Sequence, residues 1–282
     1  MKPKNCLIFG ASGLIGRNLI RKLTKNNFKV TAVTRNLHQK GYVLKTQGNP
    51  GYLDIFESGI FDKDKLSSLI KNTEICINLV GILYQKGQIN TFENIHEKFP
   101  ALLSNLCREF NVKQFIHLSA LGIEEAKDSL YAKSKLDGER AIKENYKVAT
   151  ILRPSVIYSV DDNFTNNFMQ LLSWLPIFPL YYQGSTLFRP IHVSDLTEII
   201  YNVIEKNIKS QINDFLVKEF EIDPELIIPE ANLKDDLGLD SLDFVDVVVE
   251  IEDIFGIKLT GGDFINIVTL DDFHNLIIKK NK

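Results

Sequence analysis

Cys6-Leu7-Ile8-Phe9-Gly10-Ala11-Ser12-Gly13-Leu14-Ile15-Gly16 decides how the first two hundred residues are read. An apolar run ends on a glycine, two further glycines follow at three-residue steps, and Ile15, Leu19 and Leu23 then recur at helical spacing. Phe28–Val33 reads as a second β-run, so the stretch is β-α-β. In that setting the glycines allow the backbone to approach a pyrophosphate at the N-terminus of the helix. Gly10, Ser12, Gly13, Leu14, Ile15 and Gly16 are therefore the expected phosphate-binding turn.

Outward from this turn the alternation continues. Short apolar runs at Glu74–Val80, Gln114–Ser119 and Val148–Arg153 alternate with helical segments near 64–72, 98–110 and 131–145. That pattern predicts an α/β Rossmann-like parallel sheet wound with helices. Ser194–Glu205 reads as one more helix. After about residue 210 the β-signals fade: Ile212, Phe215, Leu216 and Phe220 form one helical stripe, Phe244, Val247, Val248, Ile251 and Phe255 another, and Thr269-Leu270-Asp271-Asp272 reads as a capping box. The expected organisation is a Rossmann-like domain over 1–208 and a small all-α four-helix bundle over 209–282. The boundary near 207–212 rests on charge and periodicity, because no Gly/Ser/Pro-rich linker separates the parts.

Charge divides the chain at the same place. Residues 1–210 hold 27 basic and 19 acidic side chains, a net +8, whereas residues 211–282 hold 6 and 17, a net −11. The total of −3 hides two parts with different expected partners. With 44% apolar and 24% charged residues among 282, the chain is of the globular class and not disordered, collagen-like or disulfide-rich. Its apolar runs fall far short of the ~20 residues a membrane span needs, and the N-terminus lacks a secretory core, so a cytoplasmic protein is expected. Cys6, Cys76 and Cys107 lie in separate apolar elements, and the five histidines show no ligand spacing, which predicts neither disulfides nor metal. The positive charge is diffuse, without a basic run interleaved with aromatics, and nucleic acid is not expected.

Two further sets of residues carry chemistry. At the end of the second β-run stand Thr34 and Arg35 in place of an acid for a ribose hydroxyl; Arg35 can pair with a 2′-phosphate, favouring NADP(H) over NAD(H). Ser119 ends a β-run, and Tyr131 and Lys135 lie one turn apart on a helix face. A neighbouring ammonium favours the phenolate of a tyrosine, and a serine hydroxyl can hold a substrate oxygen, a set suited to carbonyl reduction.

The Gly-x-x-Gly-x-x-Gly spacing resembles the extended or atypical short-chain dehydrogenases, and Ser119, Tyr131 and Lys135 match their triad. The resemblance places Lys135 on the nicotinamide ribose as well, and it leaves Asp62 as the single acid of the pair that holds adenine in relatives. Asn78–Leu83, His117–Gly122, Tyr131–Lys135, Ile151–Val156 and Phe188–Val193 narrow it to the atypical members related to the nucleotide-binding accessory subunit of respiratory complex I. It covers about 3–206 and implies nucleotide binding more firmly than catalysis. Family members continue with a further strand and a substrate-side region, where this chain turns acidic and helical.

Leu237-Gly238-Leu239-Asp240-Ser241-Leu242-Asp243 precedes a helix on which Asp243, Asp246, Glu250 and Asp253 share one face. The stretch about 211–279 resembles acyl carrier proteins. The resemblance makes Ser241 the attachment point for 4′-phosphopantetheine, with Asp240, Asp243, Asp246, Glu250 and Asp253 as the docking stripe for a phosphopantetheinyl transferase and for basic patches on acyl-handling enzymes of fatty acid or related lipid metabolism. The favoured reading is a carrier joined to a nucleotide-binding domain. In one form the first part is a scaffold of the complex I accessory type, in the other an NADPH-dependent reductase of a tethered carbonyl.

Overall fold

The computed structural model describes residues 3–126, 128–175, 187–240, 243–255, 257–264 and 267–280. The chain divides into two compact units, Asn5–Ile200 and Tyr201–Lys282, the second joined by the first four residues.

In the first unit β1 (Asn5–Phe9), β2 (Lys29–Thr34), β3 (Leu53–Glu57), β4 (Ile75–Asn78), β5 (Gln114–Leu118) and β6 (Thr150–Leu152) form one sheet in the order β3-β2-β1-β4-β5-β6. Every neighbouring pair is parallel. The central strands are buried along nearly their whole length, which is why they read as continuous apolar runs. α1 (Leu14–Lys25), α2 (Leu37–Lys45), α3 (Lys63–Ile70), α4 (Phe99–Glu109) and α5 (Leu130–Asn145) connect them. After β3 the chain returns across the sheet to β4 on the other side of β1. The connections leaving β1 and β4 therefore part in opposite directions and leave a crevice at their carboxyl ends.

α4 begins earlier than its periodicity predicts, through a π-helical turn over Glu93–Lys98. Pro100 explains the irregularity. It has no N–H to offer the carbonyl of His96, one turn back, and that carbonyl lies instead against Gly138 of α5. A methyl group on Gly138 would stand 1.8 Å from His96 O. Below this contact Leu7, Phe9, Phe99, Leu103, Leu106, Phe115 and Ile142 pack as a core.

Beyond β6, β7 (Ile157–Tyr158) pairs in parallel with β8 (Ile191–His192), and α6 (Asn163–Trp174) lies between them in sequence. α7 spans Val193–Glu219 without interruption. The two helical segments expected over 194–205 and from 212 onward are thus one helix. The sequence between them contains neither proline nor glycine, and a change in charge does not stop a helix. The expected junction near 207–212 falls inside it.

The second unit contains the end of α7, α8 (Asp243–Phe255), α9 (Leu270–Lys280) and short 3-10 turns at Pro224–Leu226 and Gly261–Phe264, the latter in place of a full fourth helix. Ile212, Leu216, Val247, Ile251, Leu270, Phe273 and Ile277 form its core. Val247 lies at the centre of the β-branched stretch of α8 and is fully buried, so packing holds that helix where propensity is weak. The expected capping box closes α9: Thr269 N–H donates to the Asp272 carboxylate (2.9 Å), and Asp272 N–H donates to Thr269 Oγ1 (3.2 Å).

Gly138→Ala should test the α4–α5 contact. Because backbone and not a flexible side chain opposes the added methyl, the loss of stability is expected at about 3 kcal/mol or more in urea unfolding, the upper end for overpacking; a loss below ~1 kcal/mol would show that the helices simply slide apart.

Candidate functional site

The glycine-rich turn forms the floor of the crevice. Gly10 has φ +77°, and a Cβ there would lie 2.9 Å from the carbonyl carbon of Leu79, so the chains leaving β1 and β4 nearly touch. Gly13 N–H donates to Gly10 O (3.0 Å), and Gly13 precedes the first residue of α1 with no side-chain cap, leaving the helix N-terminus open. A Cβ on Gly16 would come within 2.5 Å of Ala11 O, which presses α1 onto the turn.

A cleft of about 200 Å3 opens above the turn. Gly10, Ser12 and Gly13 line one wall, Leu79, Val80 and Gly81 the other, and Val33, Thr34, Arg35, Ser58, Gly59 and Ile60 the far end. Arg35 therefore stands where the sequence places it, at the rim; its Nη1 donates to Asn90 Oδ1 (2.6 Å). Leu14, Ile15, Gly16 and Asp62 do not line the cleft. Asp62 caps α3, accepting from Lys65 N–H (3.2 Å), so its carboxylate serves the helix. Glycines facing glycine-rich backbone, an uncapped helix N-terminus and an arginine fit a dinucleotide.

At the cleft's inner end Lys135 reaches the wall. Its Nζ would be 3.4 Å from a Cβ on Gly81, and it donates to Leu118 O (3.1 Å). Burial lowers its pKa to about 8, against the pull of Glu139, which raises it. Tyr131 is half-buried, its ring edge-on to His96 (5.3 Å) and Phe92 (5.9 Å), and burial raises its pKa. Burial thus opposes the expected phenolate: the same desolvation that disfavours the ammonium disfavours the phenolate.

His96 organises this corner. Its Nε2 accepts from Ile82 N–H (3.1 Å), its Nδ1 lies 2.9 Å from Ser134 Oγ, and that hydroxyl donates to Tyr131 O (2.8 Å). The chain of donors assigns the neutral Nδ1–H form, and burial with the nearby Lys135 charge lowers the pKa to about 3. His117 is held in the opposite form: Asn78 Nδ2 donates to its Nδ1 (3.1 Å), leaving Nε2–H buried without a protein partner. Ser119 Oγ is likewise buried without a bond of hydrogen-bond geometry, although it lies near enough to Glu139 to favour that carboxylate's ionised form. Arg153 clamps Glu139 through Nε (2.9 Å) and Nη2 (2.5 Å) and reaches Glu124 through Nη1 (2.8 Å). Sequence reasoning missed Glu139 and His96. Glu139 was accessible as the residue one turn after Lys135; His96 left no signal, because a π-turn places it.

In the second unit Asp240 and Asp243 form a reciprocal cap: Asp243 N–H donates to Asp240 Oδ1 (3.0 Å) and Asp240 N–H to Asp243 Oδ2 (2.8 Å). Asp246 and Glu250 are exposed and, with Phe215, Glu219, Phe220 and Val249, line a shallow groove. Ser241 and the Asp253 side chain lie outside the described residues. Among the described residues no cluster of His, Cys, Asp or Glu could hold a metal, and no helix is long and apolar enough to cross a membrane. The three cysteines are buried free thiols.

Residues 6–216 match the model of the NAD dependent epimerase/dehydratase family. The chain belongs to that family. Residues 210–277 match the phosphopantetheine attachment site family, so an acyl-carrier-type domain follows the Rossmann-like one, and the two matches overlap within α7. Curated relatives include the mitochondrial NADH dehydrogenase [ubiquinone] 1 alpha subcomplex subunit 9 of Mus musculus (29% identity over 196 residues; 69% of this chain, 52% of the relative). Another is a ceramide reductase of Caulobacter vibrioides (28% over 190 residues; 67% and 57%). The chain spans about half the length of the curated relatives it matches. Among solved structures, Pen from Bacillus thuringiensis (TM-score 0.61, 15% identity, 72% of this chain and 68% of Pen) shares the fold. So does WbmH from Bordetella bronchiseptica in complex with NAD+ (0.58, 16%, 72% and 73%).

Acid should expose the buried histidines. In the unfolded chain His96 takes up a proton near pH 6.5, in the folded chain only near 3, so the unfolded state binds more protons and stability falls as pH drops from about 6.5 toward 3. In urea unfolding at pH 7 to 4, His96→Gln should flatten this decline by up to about 1.4 kcal/mol per pH unit; an unchanged slope would mean that His96 protonates in place.

Proposed function

We propose that the chain is an NADP(H)-dependent reductase of a keto group on a long acyl chain, joined to its own acyl carrier. One observation supports the reductase half: Lys135 meets the cleft wall at Gly81 from the helix that also carries Tyr131, and it donates to the carbonyl of Leu118, the residue before Ser119. The Ser119 hydroxyl is buried beside Glu139 and favours its ionised form, a polar setting that supports a reacting site over a scaffold. Arg35 at the rim supports the phosphorylated cofactor, and the ceramide reductase relative supports a lipid-like substrate.

Bound in the cleft, the cofactor would supply a hydride to the carbonyl carbon. The rest falls to side chains. Tyr131, kept protonated by burial, gives its proton to the developing alkoxide, and Ser119 Oγ–H donates to the same oxygen beforehand. Lys135, with its pKa near neutrality, orients the ribose at Gly81. The products are an alcohol and the oxidised nucleotide. His96 acts on none of these atoms; it fixes the ring of Tyr131 and the backbone of Ile82.

In the second domain Ser241 is the residue proposed to carry 4′-phosphopantetheine, and the exposed Asp246 and Glu250 are proposed to meet basic patches on the transferase and on acyl-handling enzymes. The similarity to complex I accessory subunits supports a second reading, in which the first domain holds its nucleotide structurally within a larger assembly.

Incubation with coenzyme A and a phosphopantetheinyl transferase is expected to add one arm's mass to the chain and none to Ser241→Ala. Modification of that variant, or none of the parent, would remove the carrier assignment. With a β-ketoacyl carrier substrate, NADPH should be oxidised at a higher kcat/KM than NADH, with a loss of at least about 100-fold in Tyr131→Phe, the scale of a removed general acid. Binding of NADPH without turnover would decide for the scaffold.

A further inference from the structure

From Asn163 to Phe188 the chain runs 26 residues without a single charged side chain, although 24% of the whole is charged. The described part of this stretch is also bare. No residue of α6 is buried, and beside uncharged Asn163, Asn166, Asn167, Gln170 and Ser173 it exposes large apolar side chains: Phe168, Met169, Leu171, Leu172 and Trp174, the last 82% exposed. A surface helix normally hides one face and charges the other. α6 does neither.

Its place in the fold is definite. Asp162 caps it, accepting from Thr165 N–H (2.6 Å), and Asp161 is paired with Arg17 Nη2 (2.6 Å), four residues into α1, so α6 starts at the carboxyl edge of the sheet, where the cleft opens. Other exposed apolar side chains rise from the same edge: Leu83 and Tyr84 after β4, Leu121 after β5 and Val160 after β7. The cleft thus opens on an edge that carries several exposed apolar side chains.

We propose that α6 and this edge lie on the surface of a neutral lipid bilayer, with the helix in the interface plane. Three features favour a bilayer over other occupants. Exposure extends around the whole helix, more than one alkyl chain in a groove could cover. The lack of any charge on α6 suits hydrocarbon and the headgroup boundary, where each charge is costly. The terminal tryptophan suits the interface, where an amphipathic ring is at home. With no lysine or arginine on α6, attraction to anionic lipid contributes little, so binding should be apolar in origin and nearly independent of salt. The proposal does not rest on turnover; a nucleotide-binding scaffold could sit on lipid equally well.

Trp174 is the chain's one tryptophan, so its fluorescence reports on α6 alone. Adding phosphatidylcholine vesicles to the full chain should shift its emission to the blue, brominated acyl chains should quench it, and the chain should sediment with the vesicles alike in 0.05 and 0.5 M salt. Met169→Asp and Leu172→Asp, both at exposed positions, should each weaken sedimentation by about tenfold or more, because a charge replaces an apolar contact. Overturning outcomes are sedimentation only with anionic vesicles and its reversal by salt, sedimentation without a change in Trp174, no sedimentation, or a concentration-dependent blue shift without lipid, which would mark α6 as a contact between copies.

Discussion

At Gly10 and Leu79 two backbones approach so closely that not even a methyl group fits between them, and much of the first domain depends on that contact. β1 can lie between β2 and β4 with its carboxyl end turned sharply away only if the residue after it adopts a left-handed conformation and carries no side chain. The turn then delivers Gly13 to the head of α1, and Gly16 lets α1 settle on Ala11. Leu79 to Gly81 become the opposite wall of the same cleft, and Gly81 is where Lys135 arrives from α5. A glycine-rich floor and a titratable amine thus meet because one pair of backbones is forced together.

The parts of this arrangement that repeat along the chain were legible in the sequence. The glycines, the buried central strands and the spacing of Tyr131 and Lys135 are local signals, and those elements lie near where periodicity puts them, whereas α2, the edge strand β3, α6 and the β7–β8 pair carry no such periodic signal. What was not legible is whatever depends on a missing hydrogen bond or on a neighbour distant in sequence. The π-turn at Glu93–Lys98 follows from Pro100 meeting Gly138, a pairing across two helices. Asp62 resembled an adenine ligand in the linear sequence and is a helix cap in three dimensions. The phenolate expected for Tyr131 counted the ammonium of Lys135 and not burial, which disfavours the charged form of both groups.

The charge break at about residue 210 was legible as well, but its structural meaning was not. It reads as a junction, and the chain crosses it inside α7. Helix continuity is decided by the backbone, which meets neither proline nor glycine there, whereas net charge is a property of surfaces. The acidic surplus is spent in two ways. Some carboxylates serve the fold: Asp240 with Asp243 and Asp272 with Thr269 cap helices, and Asp271 pairs with Lys209 at 2.8 Å. Asp246 and Glu250 are instead exposed, on the wall of a shallow groove.

Burial raises a related question of cost at the other end of the molecule. An unsatisfied buried donor or acceptor costs about 1–3 kcal/mol; β5 carries one in His117 Nε2–H, and just beyond the strand the buried Ser119 hydroxyl has only its nearness to Glu139. Substituting both with apolar side chains of similar shape would relieve the cost without disturbing the sheet. Asn78 nonetheless spends its amide holding His117 in the form that points an N–H inward, and Arg153 spends two donors keeping Glu139 ionised beside Ser119. Such effort is understandable if the polar groups are oriented for something that arrives, since a preset donor interacts with an incoming oxygen without further reorganisation. The cost of these buried polar groups and their preset orientation are then the same property, and the lysine with its depressed pKa is the part of it that reaches the cleft.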